Sequence, residues 1–231
     1  MSLLDKIKAQ IQSLIGLANE KTGNEDTDLT TAVNALVDGY GSGGNEDIDT
    51  LKKQFIERNS LKEISIPNGI TLIGHSAFRG CINLEEVVFN QEVTTLGHSA
   101  FSLCYKLLFS ELPDSIETLV ESTFQSSTFV NKLVKLPNSL NTIGATVFQY
   151  CSGVQIKEIP PNVTSIGNQA FHACNELTEL TFKGAPTSIA NNAFQSCNNL
   201  TVINVPWAEG AVANAPWGAT NATINYNYTE G

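Results

Sequence analysis

Residues 61–84 read LKEISIPNGITLIGHSAFRGCINL, and the same order of residue types returns along most of the chain. Phenylalanine stands at 78, 101, 124, 148, 171 and 194, at intervals of 23 residues with a single interval of 24 between Phe124 and Phe148. The neighbours recur with it, as GHSAFSLCYKL at 97–107, GNQAFHACNEL at 167–177 and ANNAFQSCNNL at 190–200. Three residues after the Phe comes Cys81, Cys104, Cys151, Cys174 or Cys197, with Ser127 in the one register that lacks a thiol. An apolar residue follows at plus six: Leu84, Leu107, Val130, Val154, Leu177 and Leu200. Eleven residues before the Phe stands Pro67, Pro113, Pro137 or Pro160, replaced in two registers by Asn90 and Lys183. One step outward in either direction lands on Phe55 and Trp217, which read as half-units closing the two ends.

A coil of this length cannot bury its own apolar side, whereas stacked coils bury continuous columns of equivalent residues. Counted back from each Phe, positions minus fourteen and minus twelve hold Ile64/Ile66, Val87/Phe89, Val134/Leu136, Leu180/Phe182 and Ile203/Val205. These alternate with polar positions, which predicts short strands stacked as a parallel sheet about 4.8 Å per coil. Glycines at minus four, Gly74, Gly97, Gly144 and Gly167, predict tight turns with positive φ.

Of 231 residues, 42% are apolar and 16% charged, with 23 acids against 13 bases and a net charge of −10. That balance opposes a phosphate backbone, so nucleic-acid binding is not expected. No run approaches the roughly 18 apolar residues of a membrane span, and MSLLDKIKAQ lacks the basic-then-apolar order of a secretory signal. Neither membrane insertion nor signal-directed export is expected. Five cysteines without CxxC spacing indicate neither a disulfide framework nor a zinc ribbon.

The units resemble the BspA-type leucine-rich repeat, whose pattern LxxIxIPxxVxxIGxxAFxxCxxL is met nearly in full by residues 61–84. The resemblance covers residues 51–206 and departs most in the Phe124 unit, where Val120 replaces Gly, Ser127 replaces Cys and one residue is added before Pro137. It implies a right-handed leucine-rich-repeat solenoid, an α/β repeat fold with parallel strands on one side and turns or short 3₁₀ segments on the other. It implies no catalytic activity.

At the N-terminus, Leu4, Ile7, Ile11, Leu14 and Ala18 are spaced three, four, three and four. That predicts a helix whose stripe over residues 3–18 either self-associates into a homo-oligomer or packs on the solenoid end or a second helix. A second helix carries Leu29, Val33, Leu36 and Val37, and residues 1–38 form the helical attachment module. A Gly-rich linker at 39–46 and a short helical cap at 47–60, carrying Leu51 and Phe55, lead into the solenoid at 61–206. Residues 207–231, where Thr223, Asn225 and Asn227 alternate with Ile224, Tyr226 and Tyr228, predict a C-terminal cap ending in a strand. The segment TGNEDTDLTTAVNALVDGYG at 22–41 resembles N-terminal regions of tail and fibre proteins of phages and prophages of Gram-positive bacteria. It implies a virion setting, extracellular after lysis, with the bacterial cell surface as the alternative.

Catalytic chemistry is not expected. His75 and His98 share a register on adjacent coils, but two ligands are too few for a metal centre, and no cofactor is expected. The GNED runs lack the ligand order of a calcium loop. Glu63 and Glu86 stack on adjacent coils without a base or nucleophile beside them. The outward positions of the strand face suggest a binding site instead. At minus fifteen and minus thirteen of the middle coils stand Phe109/Glu111, Leu133/Lys135 and Ile156/Glu158, an exposed apolar column flanked by alternating charge that would take a protein or cell-surface glycan. The competing possibility is a register shift that turns Ile156 inward and Lys157 outward.

Overall fold

The computed structural model describes residues 61–229. The helical module at 1–38, the linker at 39–46, the cap at 47–60 with Phe55, and the seam at 3–18 lie outside the described residues. Every paired strand is parallel to its neighbour, and each pairs with the equivalent segment one coil away. The fold is a leucine-rich-repeat solenoid.

Two sheets run along it and differ in continuity. One is an unbroken ladder of six two-residue strands: Leu72–Ile73, Thr95–Leu96, Thr118–Leu119, Thr142–Ile143, Ser165–Ile166 and Ser188–Ile189. The other side is divided. Glu63–Ser65 pairs with Glu86–Val88, Thr128–Leu133 pairs with Ser152–Val154, and a separate group of four runs through Glu158–Ile159, Glu179–Phe182, Val202–Asn204 and Thr223–Asn225.

Between the sheets the six Phe rings form one buried column, successive centroids 5.2 to 5.7 Å apart and ring planes nearly parallel. Trp217 ends the column, fully buried, and packs on Phe182 and Trp207. Such ladders bury each ring on both faces, and truncating a buried Phe costs about 3–5 kcal/mol.

The AF segment holds the coils together by backbone geometry. Ser76, Ser99, Ser122, Thr146 and Gln169, two residues before the Phe, have positive φ. So do Gly80, Leu103, Ser126, Tyr150 and Ala173, two residues after it. This alternation turns every second N–H towards the following coil. Phe148 N–H donates to Ala170 O at 2.7 Å, Thr146 N–H to Asn168 O at 2.8 Å and Tyr150 N–H to His172 O at 2.9 Å. Elsewhere in the coil the donors point back, as from Gly167 N–H to Ile143 O at 2.8 Å. Each coil is therefore bonded forwards by its turn and backwards by its strands, and few buried backbone groups go unpaired.

The glycines at minus four serve another purpose than the expected one, since none of Gly74, Gly97, Gly144 and Gly167 is among the residues with positive φ. At Gly97, Gly144 and Gly167 the requirement is close approach. A Cβ on Gly167 would lie 2.5 Å from Ala145 N, and one on Gly97 would lie 2.7 Å from Ile73 O.

The cysteine register also has a directional role. The Sγ–H of Cys104, Cys151, Cys174 and Cys197 donates to the carbonyl of the Phe one coil earlier, at 2.8 to 3.2 Å. Ser127 makes the same bond with its hydroxyl, to Phe101 O at 2.6 Å, and accepts from Cys104 N–H at 3.1 Å. Asn90 likewise does the work of the proline it replaces. Its Nδ2 donates to Pro67 O and to Ile70 O, and its Oδ1 accepts from Glu92 N–H and Val93 N–H, closing the turn through the side chain.

Ser127→Ala should leave the buried Cys104 N–H and the second lone pair of Phe101 O unpaired, at a cost of about 1–3 kcal/mol in urea denaturation. Ser127→Cys, which restores the donor, should cost less. Equal costs for the two variants would contradict the hydrogen-bonding role of this register.

Candidate binding face

The expected apolar column of Phe109, Leu133 and Ile156 is not exposed. Leu133 is 0% and Ile156 1% exposed, and Phe109 is half-buried among Phe89, Phe124 and Phe129, with ring centroids 6.3, 6.1 and 5.5 Å away. The register shift holds, and it covers all three middle coils. In the outer coils the inward residues of the strand are two apart, as in Ile64/Ile66 and Leu180/Phe182. In the middle coils they are three apart: Phe109/Leu112, Leu133/Leu136 and Ile156/Ile159. The chain thus turns inward one residue sooner, and the residue after it points out. Val134, expected inside, is exposed, as is Lys157.

The cause is clearest at the coil with the added residue. Phe129 takes the column position opposite Leu107, and the strand Thr128–Leu133 departs from regular register against Ser152–Val154. Lys132 carries a φ of 64°, the mark of a bulge. Gly153 allows the close approach that follows, because a Cβ there would lie 2.1 Å from Phe129 O.

A polar clamp secures this bulge. Glu176 Oε2 accepts from Lys132 Nζ at 2.8 Å and Gln155 Nε2 at 2.8 Å, while Oε1 accepts from Gly153 N–H at 2.8 Å. The Lys132 hydrogen bond, supported by those of Gln155 and Gly153, holds the Glu176 carboxyl below the usual carboxylate range against its partial burial.

The flanking charges are exposed. Glu111 and Lys135 are paired across adjacent coils at 3.7 Å, and Glu158 pairs with Lys183 at 3.1 Å. At such exposure these pairs contribute on the order of 1 kcal/mol or less. The apolar residues that the face does present are Val88, Leu108 and Val134, 50%, 37% and 46% exposed, on three successive coils. Period-2 counting places Val88 outward but hides Val134, and the spacing of three in LVKL was the signal that could have found it.

The site contains little that could do covalent chemistry. Burial raises the thiols, with Cys151 and Cys197 pushed up to about 12, so a thiolate nucleophile is disfavoured. His75 and His98 meet edge to face at 4.8 Å, and His98 Nδ1 lies 3.1 Å from both Glu121 O and Ser99 Oγ. Among the described residues no group of three or more His, Cys, Asp or Glu is placed to hold a metal ion. Nor is any helix among them long and apolar enough to cross a membrane. Parallel strand ladders on two sides and a buried column of Phe and Cys residues between them define a leucine-rich-repeat solenoid.

The sequence model for the BspA type leucine rich repeat region matches in six copies over residues 49–155 and 128–211. The chain belongs to the BspA-type leucine-rich repeat family. Among solved structures it is similar to a leucine-rich repeat protein from Bacteroides ovatus, with 27% identity and a TM-score of 0.56 over 71% of this chain and 42% of that one. It is also similar to a leucine rich cell surface protein from Faecalibacterium prausnitzii, with 27% identity and a TM-score of 0.53 over 63% and 39%. A leucine-rich repeat protein of T. pallidum matches with 26% identity and a TM-score of 0.52 over 65% and 74%. The chain thus spans about two fifths of the first two proteins. No curated protein sequence matches it.

Because the Glu176 carboxyl is held below its ordinary value, its clamp stabilises the fold above the unfolded carboxylate range and is lost as pH falls through the folded value. Glu176→Gln should therefore lower the thermal midpoint at pH 7, and the gap from the natural chain should narrow as pH falls through and below the carboxylate range. A gap independent of pH would show that the charge plays no part in the clamp.

Proposed function

We propose that the chain is a non-enzymatic recognition scaffold that presents its strand face to a protein or glycan at a cell boundary. The observation that carries this is the divided strand face itself. It sets Val88, Leu108 and Val134 outward beside the Glu111–Lys135 and Glu158–Lys183 pairs, with no assembled catalytic group among the described residues. Family membership supports the same reading, since leucine-rich repeats commonly serve as interaction surfaces.

The proposed setting is a phage or prophage virion. There the N-terminal module attaches or oligomerises and the solenoid contacts the host surface, a reading supported by residues 22–41. A bacterial surface adhesin is the second reading, favoured by the similarity to the cell surface protein of Faecalibacterium prausnitzii.

Labelled full-length protein should be retained on intact cells of a bacterial panel. Val88→Ser combined with Val134→Ser should reduce retention at least tenfold while leaving the circular dichroism unchanged. Equal retention by the variant would overturn the assignment of this face. Separately, sedimentation should give a larger species for the full chain than for one starting at Asn45, and monomers in both cases would remove the oligomerisation claim.

A further inference from the structure

The C-terminal third of the strand face differs in chemistry from the middle. Thr181, Asn204 and Asn225 lie side by side in register on three adjacent strands, with Glu158 next to Thr181 on the fourth. This is an outward column, since Glu111, Lys135 and Glu158 at the equivalent positions are exposed. Asn204 is nevertheless only 2% exposed. Its amide is a hub. Nδ2 donates to Glu179 Oε1 at 3.0 Å and to Thr181 Oγ1 at 3.1 Å, and Oδ1 accepts from Asn225 Nδ2 at 2.8 Å.

The hub fixes three side chains and leaves their remaining capacity unspent. Glu179 Oε2 can accept, the Thr181 hydroxyl can donate its hydrogen, and Asn225 can donate one N–H and accept at Oδ1. Donors and acceptors thus mix within a few ångströms on a surface whose side chains are already ordered, which lowers the entropic cost of binding. The chain also folds back here. Tyr228 N–H donates to Val205 O at 2.9 Å, so the backbone of this exposed tyrosine lies against the residue that follows Asn204.

We propose that Glu179, Thr181 and Asn225, ordered by Asn204 and bordered by Tyr228, form a subsite for a neutral glycan. This rests on the reading of the strand face as a recognition surface and names the ligand class for one end of it. Sugar hydroxyls each donate and accept, so adjacent hydroxyls match a mixed set of this kind. The carboxylates of Glu158 and Glu179 disfavour anionic polymers. A peptide partner would find its apolar contacts elsewhere, on Val88, Leu108 and Val134.

Native affinity electrophoresis of the full-length protein in gels containing yeast mannan, laminarin or galactomannan tests this, with polygalacturonate as the anionic comparison. At least one neutral polymer should retard the protein. Glu179→Gln and Asn225→Ala should each weaken that retardation at least tenfold while keeping the circular dichroism of the natural chain, and Leu72→Ser, an exposed position on the six-strand sheet, should leave it intact. No retardation by any neutral polymer, retardation by polygalacturonate alone, or equal retardation of all variants would overturn the subsite. If cells are retained through Val88 and Val134 while no polysaccharide binds, the subsite fails and the recognition reading stands. If neither cells nor polysaccharides bind, both fail.

Discussion

Everything in this molecule depends on coils approaching one another closely enough for backbone to bond to backbone. Strand N–H groups donate to the coil behind, and the alternating positive φ values around each Phe send the turn N–H groups to the coil ahead. That reciprocity fixes the stacking distance, and the stacking distance fixes the columns. Rings fall on rings, a small donor falls under each Phe carbonyl, and glycine stands where a Cβ would collide with the neighbouring backbone. The periodic sequence is the imprint of one packing geometry repeated.

That geometry explains which features could be read from residue types and which could not. The Phe, Cys and Leu registers are steric requirements of the interior, so spacing alone reveals them. The role of Gly167 and its equivalents was less legible, because the residue type is the same whether the chain needs an unusual φ or merely needs room. The outward face was the least legible. A strand's inward and outward sets exchange on a one-residue shift, and that shift was carried by a spacing of three instead of two in FSEL, LVKL and IKEI. Leu133 and Ile156 therefore lie inside, and Val134 and Lys157 outside. Hydrogen-bond hubs such as Asn204 were also beyond sequence reading, since an Asn at an outward position ordinarily meets water.

The two long faces have different freedoms. The six-strand ladder repeats without interruption and presents small hydroxyl side chains over most of its length, including Thr95, Thr118, Thr142, Ser165 and Ser188. The opposite side absorbs the added residue, the bulge at Lys132 and the early inward turn of the middle coils. Variation is thus confined to the side that carries the candidate contacts, while the regular side keeps the stacking in order. A solenoid can alter its recognition surface in this way without disturbing its core.

The thiol column has one more consequence. Cys104, Cys151, Cys174 and Cys197 act as hydrogen-bond donors to a carbonyl one coil away, all five cysteines are buried and none is in a disulfide, and a serine fills the same role in one coil. The native solenoid therefore draws on its thiols as donors and on no disulfide. A chain built this way can mature in a reducing interior and persist in an oxidising exterior without a disulfide having to form or survive.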